Sequence, residues 1–356
     1  MMKIVKKLFE KVKKNGLLST FIWVIKRLKY LLKNNILCIT EFGLLFWIKK
    51  IIYLKQKNYD LYLKLIYENL ESEVENVIEY YRNSEKKIRE SIIYKEGKKK
   101  IWVCWWQGYD SMPEFCKMCY KQLNYILDKK KFEIILICED NYKKYVNIPE
   151  YIIDKVKKGN ISLTQFSDIL REGLIAQNGG VWVDATMWFE KDANNFFSID
   201  RDFWSVKLAD IDDINMCGQI ISECMWSGFI ISGNKNSYVC SFVYDAMCEY
   251  FKKHNYVIDY FIQNLLIRIA YNNLNKARNI IDAIEISNPK LYDMFREMNC
   301  VYSDELWNNL TAETSIFKLT HKCSYTRKVN GKDTLYAVIN NRVGQINDVI
   351  MNGKSE

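Results

Sequence analysis

The sequence of 356 residues predicts an α/β fold: a helical region over residues 1–95, an α/β domain over 96–330 and a tail over 331–356. Three observations carry this reading. Apolar residues recur at helical spacing as far as about residue 95. Beyond that point short β-rich runs alternate with stretches of helix length. In the middle of the second region a capped helix runs into Gly179-Gly180 and then an apolar strand, the unit from which α/β sheets are assembled. With 49% apolar and 27% charged residues, the composition excludes a disordered or coiled-coil chain. Only Pro113, Pro149 and Pro289 occur, so no proline-rich linker separates modules.

Residues 3–34 read as amphipathic helix, because Leu17, Phe21, Val24, Leu28 and Leu31 repeat at spacings of four and three while Lys26, Arg27 and Lys33 lie elsewhere. Gly16 marks a break. Residues 36–54 are strongly apolar, yet Glu41, Lys49 and Lys50 interrupt them and leave no run of about 18 to span a bilayer. Charge sharpens the picture. Residues 1–60 hold 14 Lys and Arg against three Asp and Glu, whereas the remainder holds 38 against 40. A basic segment whose companions are Leu, Ile, Phe and Trp suits an anionic membrane surface. The alternative is that the same faces pack on the rest of the protein or on a second subunit. From Tyr59 to about Lys95 the pattern remains helical, and Gly97 with Lys98, Lys99 and Lys100 closes it.

The predicted strands are 101–106, 132–138, 181–184, 203–208 and 229–231. The last 26 residues, with Asn340, Asn341, Asn347 and Asn352, read as a weakly ordered or short-element tail. Eleven cysteines, an odd number, with no secretory leader at the Met-Met-Lys-Ile-Val-Lys-Lys start, point to reduced thiols in a cytoplasm. Cys116 and Cys119 form the CxxC without a second pair, and core neighbours on a helix account for them better than zinc does.

The segment richest in chemistry is 162–186. Ser162 and Gln165 make a capping box, and Asn178-Gly179-Gly180 ends the helix that they start. Asp168 and Arg171, three apart, share a face of it. On the strand that follows, Trp182, Asp184 and Thr186 alternate with Val181, Val183 and Ala185. A carboxylate at the C-terminal end of an apolar strand is where α/β sheets place ligand chemistry. Taken singly, an Asp there is a turn former, and Asp168 with Arg171 is a surface ion pair.

Taken together, these residues resemble the capsular polysaccharide synthesis proteins, related to glycosyltransferases whose sugar-binding region reads S-D-x-x-R, a short helix, then G-G-x-[YW]-x-D-x-[DT]. The elements stand here as Ser167-Asp168, Arg171, Gly179-Gly180, Trp182, Asp184 and Thr186. Upstream, Ile101-Trp-Val-Cys-Trp-Trp-Gln-Gly108 followed by Pro113-Glu114 is similar to the family's opening strand and loop, and the resemblance spans about residues 96–325.

The resemblance implies a GT-A fold and a nucleotide-sugar donor. Trp105 would stack on a uracil, with Trp106 and Gln107 beside it and Gly108 letting the backbone approach; the alternative is two core tryptophans. Ser167, Asp168 and Arg171 would fix ribose and sugar hydroxyls, and Gly180 and Trp182 would line the same pocket. Asp184 would touch the ribose and a divalent metal, Mn2+ or Mg2+, that neutralises the diphosphate leaving group. Thr186 replaces the second acid of D-x-D, and a hydroxyl is a weaker ligand for a hard cation. In Phe317-Lys-Leu-Thr-His321-Lys322, His321 would ligate the metal or a phosphate, and Lys322 would supply a cation where no second Asp holds one; a solvated turn is the plainer reading. Ser227, after Trp226, falls where the family places sugar contacts. Asp259 and Gln263, four apart, would share a helical face toward the donor sugar and complete the catalytic set with Asp184.

The expected activity is hexosyl transfer from a UDP-linked sugar, with retention of configuration, to a glycan or lipid-linked precursor of capsular or other surface polysaccharide. The expected location is the cytoplasm, peripheral at the cytoplasmic face of the membrane. No nucleic-acid recognition motif accompanies the basic segment, which argues against that partner. The rival is a non-catalytic nucleotide-sugar-binding or scaffold protein of the same fold.

Overall fold

The computed structural model describes residues 12–13, 16–83, 97–210 and 217–352. The chain divides into two compact units, Met1–Leu70 with Lys253–Tyr260, and Glu71–Lys252 with Phe261–Glu356.

In the first unit helix α1 (Leu17–Phe42) and helix α2 (Leu44–Gln56) meet at Gly43, whose φ of 86° only glycine adopts without strain. Helix α3 (Tyr59–Glu73) follows a left-handed Lys57. The charges that interrupt the apolar run have a structural use. Glu41 accepts the backbone N–H groups of Asn255 at 3.0 Å and Tyr256 at 3.1 Å, and pairs with His254 at 3.2 Å. Lys50 donates to the Tyr256 hydroxyl at 3.0 Å and to the Ile258 carbonyl. Residues 253–260 are thus strapped to α1 and α2. Most of the apolar stripe read from the sequence is exposed, with Leu17 77% accessible, Phe21 62%, Leu28 55% and Leu31 43%, while Val24 is half-buried. Among the described residues no helix is long and apolar enough to cross a membrane.

The second unit starts with helix α4 (Glu75–Asn83) and is built on a sheet. Strand β1 (Lys99–Cys104) is followed by helix α5 (Glu114–Ile126), strand β2 (Phe132–Ile137), helix α6 (Glu150–Lys157), helix α7 (Leu163–Asn178) and strand β3 (Gly180–Val183). Strands β4 (Met187–Phe189), β5 (Trp204–Ser205) and β6 (Ile230–Gly233) come next. The five-stranded order is β2-β1-β3-β6-β5, with β1 parallel to both β2 and β3 and β6 antiparallel to β3 and β5. Ile101, Trp102 and Val103 are buried in succession, as expected of a strand covered on both faces. The sequence-predicted strands fall where expected to within a few residues at each end.

Helix α7 is the central helix. Ser162 caps it by accepting the Gln165 N–H, and Gly179 at φ 72° ends it. Gly180, at φ 111°, has no room for a side chain, since a Cβ would lie 2.4 Å from the Lys100 carbonyl. This glycine serves the β1–β3 junction.

Helix α8 (Tyr238–Lys253), helix α9 (Ile262–Asn273) and strand β7 (Ile316–Lys318) complete the part that frames the site. Strand β4 leaves the main sheet through a turn in which Met187 N–H bonds the Asp184 carbonyl, and pairs antiparallel with β7, Met187 opposite Lys318. Two expectations are corrected here. The C-terminal stretch is no weak tail: Leu335–Asn352 is a helix whose Leu335, Ile339 and Val343 join a core with Met118, Cys119 and Phe317. Packing of these three residues, spaced four apart, overrides the poor helix propensity of the helix's asparagines. Nor do Asp259 and Gln263 share a helical face. Helix α9 begins at Ile262, and Asp259 belongs to the first unit, where its carboxylate accepts the Tyr62 hydroxyl.

Candidate active site

Parallel strands β1 and β3 lie side by side, so their carboxyl ends deliver Trp105 and Asp184 to one edge of the sheet. Helix α7 runs back over that edge and contributes two buried charges, Arg171 and Glu172. A charge inside a protein survives only with partners. Arg171 finds four. Its guanidinium pairs with Asp168 Oδ1 at 3.1 Å and Asp184 Oδ1 at 3.2 Å, donates to the Gln263 side-chain carbonyl, and lies 4.9 Å from the centre of the Trp182 ring. The Trp182 indole N–H donates to the same Asp184 Oδ1 at 3.0 Å.

The second oxygen of Asp184 belongs to Lys318, whose ammonium is 2.8 Å away. The same ammonium donates to the Thr186 hydroxyl at 3.0 Å and stands 4.7 Å from the centre of the Phe229 ring. The result is one connected chain of charge, Asp168–Arg171–Asp184–Lys318, ending on Thr186. Register places Lys318 there: β4 starts at Met187, directly after Thr186, and β7 pairs with it so that Met187 stands opposite Lys318 and Leu319 N–H also bonds the Thr186 carbonyl at 2.9 Å. The Asp184 and Lys318 side chains are 28% and 21% accessible, so the network opens to solvent at this end.

Electrostatics separate the carboxyls. Burial pushes Asp168 up to about 7 in spite of Arg171, with Asp184 adding to the rise. Burial likewise lifts Glu172 to about 7, against the hydrogen bond from Gln263 and the charge of Arg171. Burial acts to raise Asp184 too, yet Lys318 and Arg171 prevail and hold it below the usual carboxylate range. Adjacent carboxyls pushed in opposite directions are characteristic of sites rather than of surface pairs.

Trp105 is half-buried, its indole N–H has no partner among the described residues, and its ring lies 6.2 Å from that of His321 in an edge-on arrangement. Trp106 packs away from it, on Tyr142 and Phe166. Gln107 is exposed, and Gly108 holds φ 80° with open space around it. Ser167 donates its hydroxyl back to the Thr164 carbonyl of its own helix at 2.7 Å. Ser227 is buried, with its hydroxyl donated to the Val206 carbonyl. His321 and Lys322 are exposed on the loop after β7. Gln263 joins the network through Arg171 and donates to Glu172.

The residues present do not fit a divalent cation. Of the expected ligands, Asp184 commits one oxygen to Arg171 and Trp182 and the other to the Lys318 ammonium, and no group of three His, Cys, Asp or Glu forms around it or around His321 among the described residues; the Thr186 hydroxyl, at the place of the second acid, accepts from the same ammonium. Sequence reasoning missed Lys318 and Glu172. The signal was there in each case: a lone Lys in the apolar run 316–319, and an Arg-Glu pair inside the otherwise apolar 169–176.

The charged network stands at the carboxyl ends of adjacent parallel strands, the edge at which open α/β sheets place their ligand sites. The chain belongs to the capsular polysaccharide synthesis protein family, whose model matches residues 47–339. It is also similar to the crystal structure of galactosyltransferase LgtC in complex with donor and acceptor sugar analogs, at 10% identity and a TM-score of 0.37, over 69% of this chain and 95% of that one. No curated protein gives a significant match.

Proposed function

We propose that the protein is a GT-A glycosyltransferase that moves a hexose from a nucleoside diphosphate donor, UDP-linked, onto a precursor of capsular polysaccharide. The observation that carries the proposal is the Asp168–Arg171–Asp184–Lys318 network opening beside Trp105 and His321. In this reading the base stacks on Trp105 and the ribose meets Asp184. The diphosphate faces Lys318, with His321 and Lys322 reaching it from their loop. Arg171 holds Asp168 and Asp184 in place, and Gln263 with Asp168 faces the donor sugar. Transfer proceeds with retention of configuration, the leaving phosphate taking the proton of the acceptor hydroxyl. The test is release of UDP or GDP from a panel of nucleotide sugars with membrane extract as acceptor. No release from any donor by folded protein that binds UDP would leave a non-catalytic nucleotide-sugar-binding protein instead.

The acceptor in this reading is lipid-linked, and the first unit holds the enzyme at the cytoplasmic membrane face. Support comes from the exposed Leu17, Phe21, Leu28 and Leu32 on the same pair of helices as Lys26, Arg27, Lys29, Lys33 and Lys49. An apolar face flanked by cations matches an anionic lipid surface.

A further inference from the structure

The cation at the candidate site is part of the chain. We infer that Lys318 occupies the place of a divalent metal, so that the protein binds the diphosphate of its donor without one; this rests on the nucleotide-sugar reading above. Three observations point this way. The ammonium lies between the two positions where D-x-D would put carboxylates, 2.8 Å from Asp184 and 3.0 Å from Thr186. It is fixed by the β4–β7 ladder and by the Phe229 ring at 4.7 Å rather than hanging on a loop. Thr186 suits it, because a hydroxyl oxygen accepts from an ammonium but is a poor ligand for a hard dication, and a second carboxylate here would leave a net negative charge facing a diphosphate.

An ammonium carries three donors. Two are committed to Asp184 and Thr186, and the third serves a phosphate oxygen. During transfer the bond between the anomeric carbon and the phosphate oxygen breaks, with its electron pair passing to the leaving diphosphate. The acceptor oxygen forms the new bond to that carbon and gives its proton to the leaving phosphate. No redox partner is needed, and the charge that grows on the phosphate is what Lys318 stabilises.

Calorimetric titration with UDP, and separately with GDP, tests this in EDTA and again with Mn2+ or Mg2+. We expect one nucleotide to bind with a Kd that differs less than threefold between EDTA and metal. Lys318→Met should weaken that binding at least tenfold, and Lys318→Arg should keep it within about fivefold. The double variant Thr186→Asp with Lys318→Ser should reverse the pattern, binding at least tenfold more tightly when Mn2+ is added. Binding by the unaltered protein that is lost in EDTA and restored by Mn2+ overturns the inference and leaves the transferase reading intact. Full affinity in folded Lys318→Met overturns it as well. Failure of both nucleotides to bind under either condition overturns the transferase reading on which it rests.

Discussion

Replacing Arg171 by methionine keeps a long side chain over Trp182 and removes the charge that Asp168 and Asp184 share. The Arg171 side chain is 7% accessible, with its two pairs at 3.1 and 3.2 Å. Breaking a buried pair from one side costs about 3–5 kcal/mol, because the partner's charge stays buried. Here the lower end applies near pH 7, since Asp168 already sits at about 7 and escapes the penalty by taking up a proton. Without Arg171 its value rises further, so the native variant binds a proton that the unfolded chain has released. Stability of the variant therefore falls as pH rises, at up to about 1.4 kcal/mol per unit, until the new native value is passed. Urea denaturation followed by tryptophan fluorescence at pH 5.5, 7 and 8 should show a cost of about 3 kcal/mol at pH 7 and a larger one at pH 8. A cost below about 1 kcal/mol, or one that does not change with pH, would refute the network as a buried charge system.

Asp184→Asn should leave the protein folded by circular dichroism and lower turnover at least about 100-fold, since it releases both Arg171 and Lys318 from their common partner; normal turnover in a folded variant removes Asp184 from the site. Trp105→Ala should weaken nucleotide binding by about 1–3 kcal/mol, and unchanged affinity would assign Trp105 to the core. Glu172→Gln should stabilise the protein above pH 7, by up to about 3 kcal/mol, because a carboxyl raised from 4.5 to about 7 costs folding stability once the unfolded chain has ionised; the gain should vanish by pH 4.5 in the same urea experiment. Phe21→Asp with Leu28→Asp should weaken binding to anionic vesicles, read by co-sedimentation, about 100-fold or more, each side chain giving up roughly 1.5–3 kcal/mol of burial, while high salt releases the unaltered protein only in part. A protein that stays in the supernatant at low salt and runs as a dimer would mark these helices as a subunit interface.

The local grammar of this protein is written in the sequence. Helix α7 could be bounded in advance because Ser162, Gln165 and Gly179 act on their immediate neighbours, and β1 because a continuous apolar run fits a strand covered on both faces. Spacing also placed Asp168 with Arg171 on one helix face and Trp182 with Asp184 on one strand face, while the resemblance of their joint order to the family pattern is what marked them as candidates for a single site. What only the tertiary structure decided was which distant residues meet them. Lys318 lies 134 positions from Asp184, and nothing local sets the β4–β7 register that puts its ammonium on both Asp184 and Thr186. Gln263 reached the network while Asp259 did not, because α9 starts at Ile262 and Asp259 is spent on Tyr62. Glu41 and Lys50 looked like interruptions in an apolar stretch until residues 253–260 supplied their partners. In each case the deciding quantity is the energy of pairing a buried charge, which depends on what the fold places opposite it and has no trace in the spacing along the chain.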